Sequence, residues 1–165
     1  MLGLAGCAPP EASEPTSAPA FASDEEALAA AEATYRAYVD ALNHVDLADP
    51  QTFEAVYELT TEEVSTGLRE TLSRMRADGW TVAESRKATI VQPRLISGRG
   101  MRSVELAVCV DVSEVTIVDL QGTSMVSSDR VDVQPALVTL ERSDTKETGT
   151  SISEFASRDG DPTCR

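Results

Sequence analysis

Apolar side chains at Leu28, Ala31, Tyr35, Tyr38, Leu42 and Val45 are separated by 3, 4, 3, 4 and 3 residues. That spacing keeps one stripe on one side of an α-helix and predicts a long amphipathic helix from residue 24 onward. Its start is marked by Ser23-Asp24-Glu25-Glu26, a capping box with Ser23 as N-cap and Glu26 three positions on. Asp49-Pro50 stops the run and opens a short second helix, with Pro50 in the first turn and Phe53, Val56 and Tyr57 facing inward. A second box, Thr60-Thr61-Glu62-Glu63, opens a third helix with Val64, Leu68, Leu72 and Met75 on its apolar face, closed by Asp78-Gly79.

Beyond Gly79 the period changes to two. Residues 80–91 read as a strand, and Ser97-Gly98-Arg99-Gly100 as the turn of a hairpin. In the returning strand Val104, Leu106, Val108, Val110 and Val112 alternate with Glu105, Ala107, Cys109 and Asp111, so one face is core and the other mixed. Residues 115–120 are expected to continue the sheet and to turn at Gln121-Gly122 into residues 123–127. Residues 128–134 read as polar loop, and residues 137–142 and 151–155 as a last hairpin around Asp144-Thr145-Lys146-Glu147. Three helices followed by antiparallel strands make an α+β domain.

The N-terminal residues lack either period. Residues 8–23 are Ala, Pro, Ser, Thr and Glu, with Phe21 the only large apolar side chain, and Pro9, Pro10, Pro15 and Pro19 forbid a regular helix. Such a segment is expected to act as a semi-rigid tether of about 3 Å per residue, reaching up to about 50 Å. Directly before it, Leu4-Ala5-Gly6-Cys7 resembles the lipobox that bacterial signal peptidases cut ahead of a lipidated cysteine. In this reading residues 1–7 are the remnant of a signal peptide and Cys7 is the lipidated residue. Residues 8–23 are the tether, and residues 24–165 form one domain on the extracytoplasmic face of the bacterial cell membrane. Met1-Leu2-Gly3 then reads as the end of an apolar stretch that starts further upstream.

Charge and cysteine count narrow the partners. The 165 residues carry a formal net charge of −14, which repels nucleic acid and anionic lipid surfaces, and neither is expected as a partner. No apolar run is long enough to span a bilayer, so acyl chains on Cys7 supply the expected membrane contact. Of the three cysteines, Cys109 and Cys164 are left to pair once Cys7 is lipidated, and their bond would clamp the polar C-terminal tail onto the sheet. The competing reading makes Cys109 a catalytic thiolate with His44, the single histidine, as its base. An oxidising compartment and the placement of His44 at a helix end favour the disulfide.

The order of helices and strands over residues 24–157 resembles the nuclear transport factor 2-like family, a cone whose bent sheet wraps around a long N-terminal helix. Tyr35-Arg36-Ala37-Tyr38, Asp46-Leu47-Ala48-Asp49-Pro50, Gly79-Trp80, Cys109-Val110-Asp111-Val112-Ser113 and Asp161-Pro162-Thr163-Cys164 are similar to stretches of Gram-positive lipoproteins thought to share that fold. The resemblance implies three helices packed in the concave face of a strongly bent antiparallel sheet. No activity comes with it.

Most catalytic signatures are excluded. A single histidine rules out HExxH and two-histidine metal sites, and neither a Walker loop nor a G-x-S-x-G elbow is present. Asp159-Gly160-Asp161 lacks the rest of a calcium loop and reads as solvated tail. No metal and no cofactor is expected. The cone-shaped relatives imply an isomerase or dehydratase reading, in which Tyr35 or Tyr38 donates a proton and Asp111 or Asp119 is a tuned carboxylate. The favoured expectation is a non-catalytic module: a small-ligand pocket lined by Tyr35, Tyr38 and Trp80, or a half-covered sheet face that receives a partner protein or a second copy.

Overall fold

A computed structural model describes residues 21–83, 85–98 and 101–164 of the chain. Cys7, the lipobox and residues 8–20 of the expected tether lie outside them, as do Arg99 and Gly100 of the hairpin turn.

Helix α1 (Asp24–Asn43) starts where its caps require. The Glu26 backbone N–H donates to the Ser23 hydroxyl at 3.1 Å, and the Glu26 carboxylate accepts from the Ala22 N–H at 2.7 Å, one residue earlier than an ideal capping box. Three acids in the first turn complement the helix dipole. The buried face is Ala27, Ala31, Thr34, Tyr35 and Tyr38, while Leu28 and Leu42 of the apolar stripe are only half-buried. The helix thus meets the sheet through the small side chains of Ala27, Ala31 and Thr34 in its first half and through the rings of Tyr35 and Tyr38 further on. Close approach is sealed by a polar pair, since the hydroxyls of Thr34 and Thr150 lie 2.6 Å apart in the buried interface. Asp49 caps a 3₁₀ turn (Pro50–Phe53), its carboxylate accepting from the Gln51 N–H at 3.0 Å, and α2 (Glu54–Tyr57) follows directly. Helix α3 (Glu62–Ala77) lacks the expected capping box: Thr61 makes no side-chain cap, and the Thr60 hydroxyl instead donates to the Tyr57 carbonyl at 3.1 Å. Thr60 is spent on closing the end of α2.

The strands are β1 (Thr81–Ala83), β2 (Lys87–Gly98), β3 (Met101–Asp111), β4 (Thr116–Val118), β5 (Val133–Arg142) and β6 (Thr150–Ser157). An antiparallel sheet in the order β2-β3-β5-β6 carries α1 on one face, giving the α+β cone plan. Val104, Leu106 and Val108 on β3 face Leu140, Val138 and Ala136 on β5, and these residues with Ile152 form the main core beneath α1. Bulges between Ile90 and Gln92 on β2, and opposite Thr139 and Leu140 on β5, bend the strands. The outer edge of β6 is partly covered, because the Thr61 N–H donates to the Ile152 carbonyl and the Ile152 N–H to the Leu59 carbonyl.

Three expectations need correction. Residues 80–91 are not one strand: β1 and β2 belong to different sheets, broken around Ser85 and Arg86. Residues 115–120 do not continue the main sheet, since β4 pairs with β1 in a separate two-stranded sheet, and residues 123–127 contribute only a bridge from Ser124 to Val118. Val133 and Gln134 are strand rather than loop, because β3 is long enough to pair with them through Asp111 and Val110. The domain also begins before Asp24. Phe21 packs on the main core, its ring 3.3 Å from where a Cβ on Gly149 would stand. Gly149 has φ of +75°, so Gly149→Ala is expected to cost about 1–2 kcal/mol in a denaturant melt. An unchanged midpoint would show that the turn and Phe21 yield freely.

Candidate functional site

The residues that stand out chemically gather at one end of α1. Asn43, its last residue, holds the break between β1 and β2. The Asn43 side-chain Nδ2 donates to the Arg86 carbonyl at 3.0 Å, and its Oδ1 accepts from the Arg86 N–H at 3.1 Å. Both backbone polar groups of Arg86 are thereby committed to one side chain, which fixes where its own side chain leaves the chain. Arg86 is half-buried, and its guanidinium is close enough to Tyr35 and Tyr38 for its charge to act on both hydroxyls. The tyrosine rings stack with centroids 6.5 Å apart, and Phe155 of β6 lies 5.2 Å from the Tyr38 ring.

Electrostatics follow from this burial. Tyr35 and Tyr38 are 3% and 6% exposed, and loss of solvation pushes each phenol up to about 12, with Arg86 pulling back. Burial also lowers the pKa of Arg86, opposed by the two tyrosines. At neutral pH both hydroxyls are therefore protonated, and Arg86 keeps its charge. Among the described residues neither hydroxyl makes a hydrogen bond, and the Arg86 guanidinium has no ion pair. No side-chain nitrogen or oxygen there is sealed away without a partner, so the hydroxyl tips still meet solvent.

Trp80 is not part of this group. It packs with Leu47, Phe53, Tyr57, Leu72, Met75 and Val82 in a second core between α2, α3 and β1. There the Arg69 guanidinium lies over the Tyr57 ring at 4.3 Å. The two aspartates are also elsewhere. The Asp111 carboxylate accepts from the Ser113 N–H at 2.9 Å and its hydroxyl at 2.7 Å, which holds its pKa below the usual carboxylate range. Asp111 lies on the sheet face opposite the tyrosines. Asp119 accepts from the N–H groups of Gln121 and Thr123 at 2.9 and 2.8 Å, closing a turn. His44 is exposed with Nδ1 2.8 Å from the Asp40 carbonyl.

Cys109 and Cys164 form a disulfide with their Cα atoms 5.6 Å apart, which removes the thiolate reading of Cys109. The bond pins the C-terminal tail over the outer face of the sheet. Beneath that tail Arg158 is buried, donating to the carbonyls of Ala136, Gly160 and Pro162. A separate groove of about 810 Å³ runs between α1, α2 and the β5–β6 turn, bordered by Asp40, His44, Glu58 and Glu147.

Arg86 was not singled out in the sequence because residues 80–91 read as one strand, in which a lone arginine reads as a solvated charge. The only signal was Asn43, a polar residue at the end of an apolar stripe.

No known family and no curated protein matches the sequence. Among solved structures, the intermembrane space region of the chloroplast protein ARC6 is similar at 13% identity and a TM-score of 0.49, covering 79% of this chain and 95% of that one. The periplasmic domain of DotI is similar at 19% identity and a TM-score of 0.44, covering 85% and 98%. A candidate polyketide cyclase from Xanthomonas campestris pv. campestris has 15% identity and a TM-score of 0.35, covering 77% and 91%.

Proposed function

We propose that this chain is a non-catalytic, small-ligand-binding module held on the extracytoplasmic face of the bacterial membrane by acyl chains on Cys7. The observation that carries this reading is the disulfide between Cys109 and Cys164. Such bonds persist in oxidising compartments, and this one leaves Cys7 as the odd cysteine of three. No helix among the described residues is long and apolar enough to cross a membrane, so attachment in this reading rests on Cys7 alone. The isomerase reading asks for a carboxylate opposite the tyrosines. Asp111 and Asp119, the two residues offered for that role, are both engaged in turns away from them.

Fractionation of cells expressing the precursor tests the anchor. The native chain is expected in the membrane fraction, and Cys7→Ser in the soluble extracytoplasmic fraction or the medium. Continued membrane association of Cys7→Ser would overturn the proposal.

A further inference from the structure

We infer that Arg86, Tyr35 and Tyr38 form the head-group site for a small organic carboxylate whose apolar body lies against Phe155. This rests on the ligand-binding reading above and specifies its chemistry.

Three observations converge. The first is an unpaired cation: Arg86 is half-buried, and among the described residues its guanidinium has no carboxylate partner and no hydrogen bond, so its donors stay open to solvent. The second is a pair of tyrosines whose rings are buried while their hydroxyls make no hydrogen bond among the described residues and stay open to solvent, so both are free to donate to a ligand. As neutral phenols they present two O–H donors beside five guanidinium N–H donors, with no anion among them. The third is anchorage. The clamp of Asn43 on the Arg86 backbone, at 3.0 and 3.1 Å, ties the cation to the same helix that carries both tyrosines, so the donors are held together before a ligand arrives.

Charge and surface select the ligand class. One guanidinium neutralises one negative charge, and its planar fork fits a carboxylate with two parallel hydrogen bonds. The chain's net charge of −14 disfavours a dianion such as phosphate more than a monoanion. Phe155 is 41% exposed on the strand face shared with the core, and its ring, against Tyr38, offers an apolar wall next to the donors. A carboxylate on an aromatic or alkyl body meets both demands.

The test is calorimetric titration of the full chain with benzoate, benzyl alcohol and inorganic phosphate. Benzoate is expected to bind, with benzyl alcohol and phosphate at least tenfold weaker. Arg86→Gln is expected to weaken benzoate by about ten- to a hundredfold, and Tyr38→Phe by about fivefold, as losses of a charge-assisted and a neutral hydrogen bond. Unfolding midpoints of both variants establish that they fold. Should Arg86→Gln not fold, benzoate-induced NMR shifts of Tyr35, Tyr38 and Arg86 in the unmodified chain decide instead, and their absence overturns the site. Equal binding of benzyl alcohol, or benzoate affinity unchanged in Arg86→Gln, also overturns it. Phosphate binding as tight as benzoate overturns the carboxylate assignment. Because Cys7→Ser fractionation does not involve these residues, release of that variant alongside a benzoate failure sinks the site and spares the anchor.

Discussion

Reduction of the Cys109–Cys164 disulfide, or its replacement by Cys109→Ser with Cys164→Ser, is expected to lower the unfolding free energy by about 4 kcal/mol. The two residues are 55 apart in sequence, so in the unfolded chain the bond closes a loop that contains β5 and β6 and removes the separations that an open loop could reach. In the chain-entropy treatment a loop of that size is worth about 4 kcal/mol at 25 °C. For a domain of this length the midpoint of thermal unfolding should fall by on the order of 10 °C. The native state loses something too. Arg158 is buried, and two of its acceptors, the carbonyls of Gly160 and Pro162, belong to the tail that the disulfide holds down. A freed tail takes those acceptors with it and leaves a guanidinium over Ala136 with less to bond. Guanidinium melts of oxidised and reduced protein, each with its m-value, are the measurement. A midpoint unmoved by reduction would mean that the tail is held by other contacts and that the bond closes a loop already closed.

Much of this architecture was readable in the residues, and the failures share one physical cause. The α1 stripe, the Ser23 cap and the alternation of Val104, Leu106 and Val108 are local patterns, and local periodicity reports them well. The disulfide followed from parity among three cysteines. What periodicity does not report is which strand pairs with which. Residues 80–91 keep a period of two across the break at Arg86, yet β1 finds its partner in β4 and β2 in β3. Pairing is a long-range event: Trp80 and Val82 draw β1 to the second core beside Leu72 and Met75, while β2 pairs with β3. The same holds for the site. Tyr35 and Tyr38 were legible as inward residues of α1, whereas Trp80 belongs to the second core because it follows α3 rather than entering the main sheet. Arg86 became part of the site only because Asn43, 43 positions earlier, turns back to bind its backbone. Phe21 likewise sits in a Pro-rich context and is drawn into the core by a turn at Gly149.

The buried tyrosines make alkaline unfolding the second large effect. Burial pushes the phenols of Tyr35 and Tyr38 up to about 12, against 10.0 for a solvated phenol. Between those values the unfolded chain releases phenolic protons that the folded chain retains, so the folded state binds more protons and stability falls as pH rises. The contribution is fully present below pH 10 and gone once pH passes about 12. At about 1.4 kcal/mol per pH unit, a two-unit window is worth about 3 kcal/mol for each tyrosine and about 5–6 for the pair. Tyr57, raised by burial as well, acts in the same direction. That sum is comparable with the whole stability of an ordinary domain, so the protein is expected to unfold cooperatively above about pH 11. With three tyrosines and one tryptophan in the chain, phenolate absorbance near 295 nm and Trp80 fluorescence follow ionisation and unfolding separately. Tyr35→Phe with Tyr38→Phe keeps the ring volume and removes the titrating groups, and it should move the alkaline midpoint upward. Smooth ionisation of all the tyrosines near pH 10 with fluorescence unchanged would show the phenols solvated in the folded state.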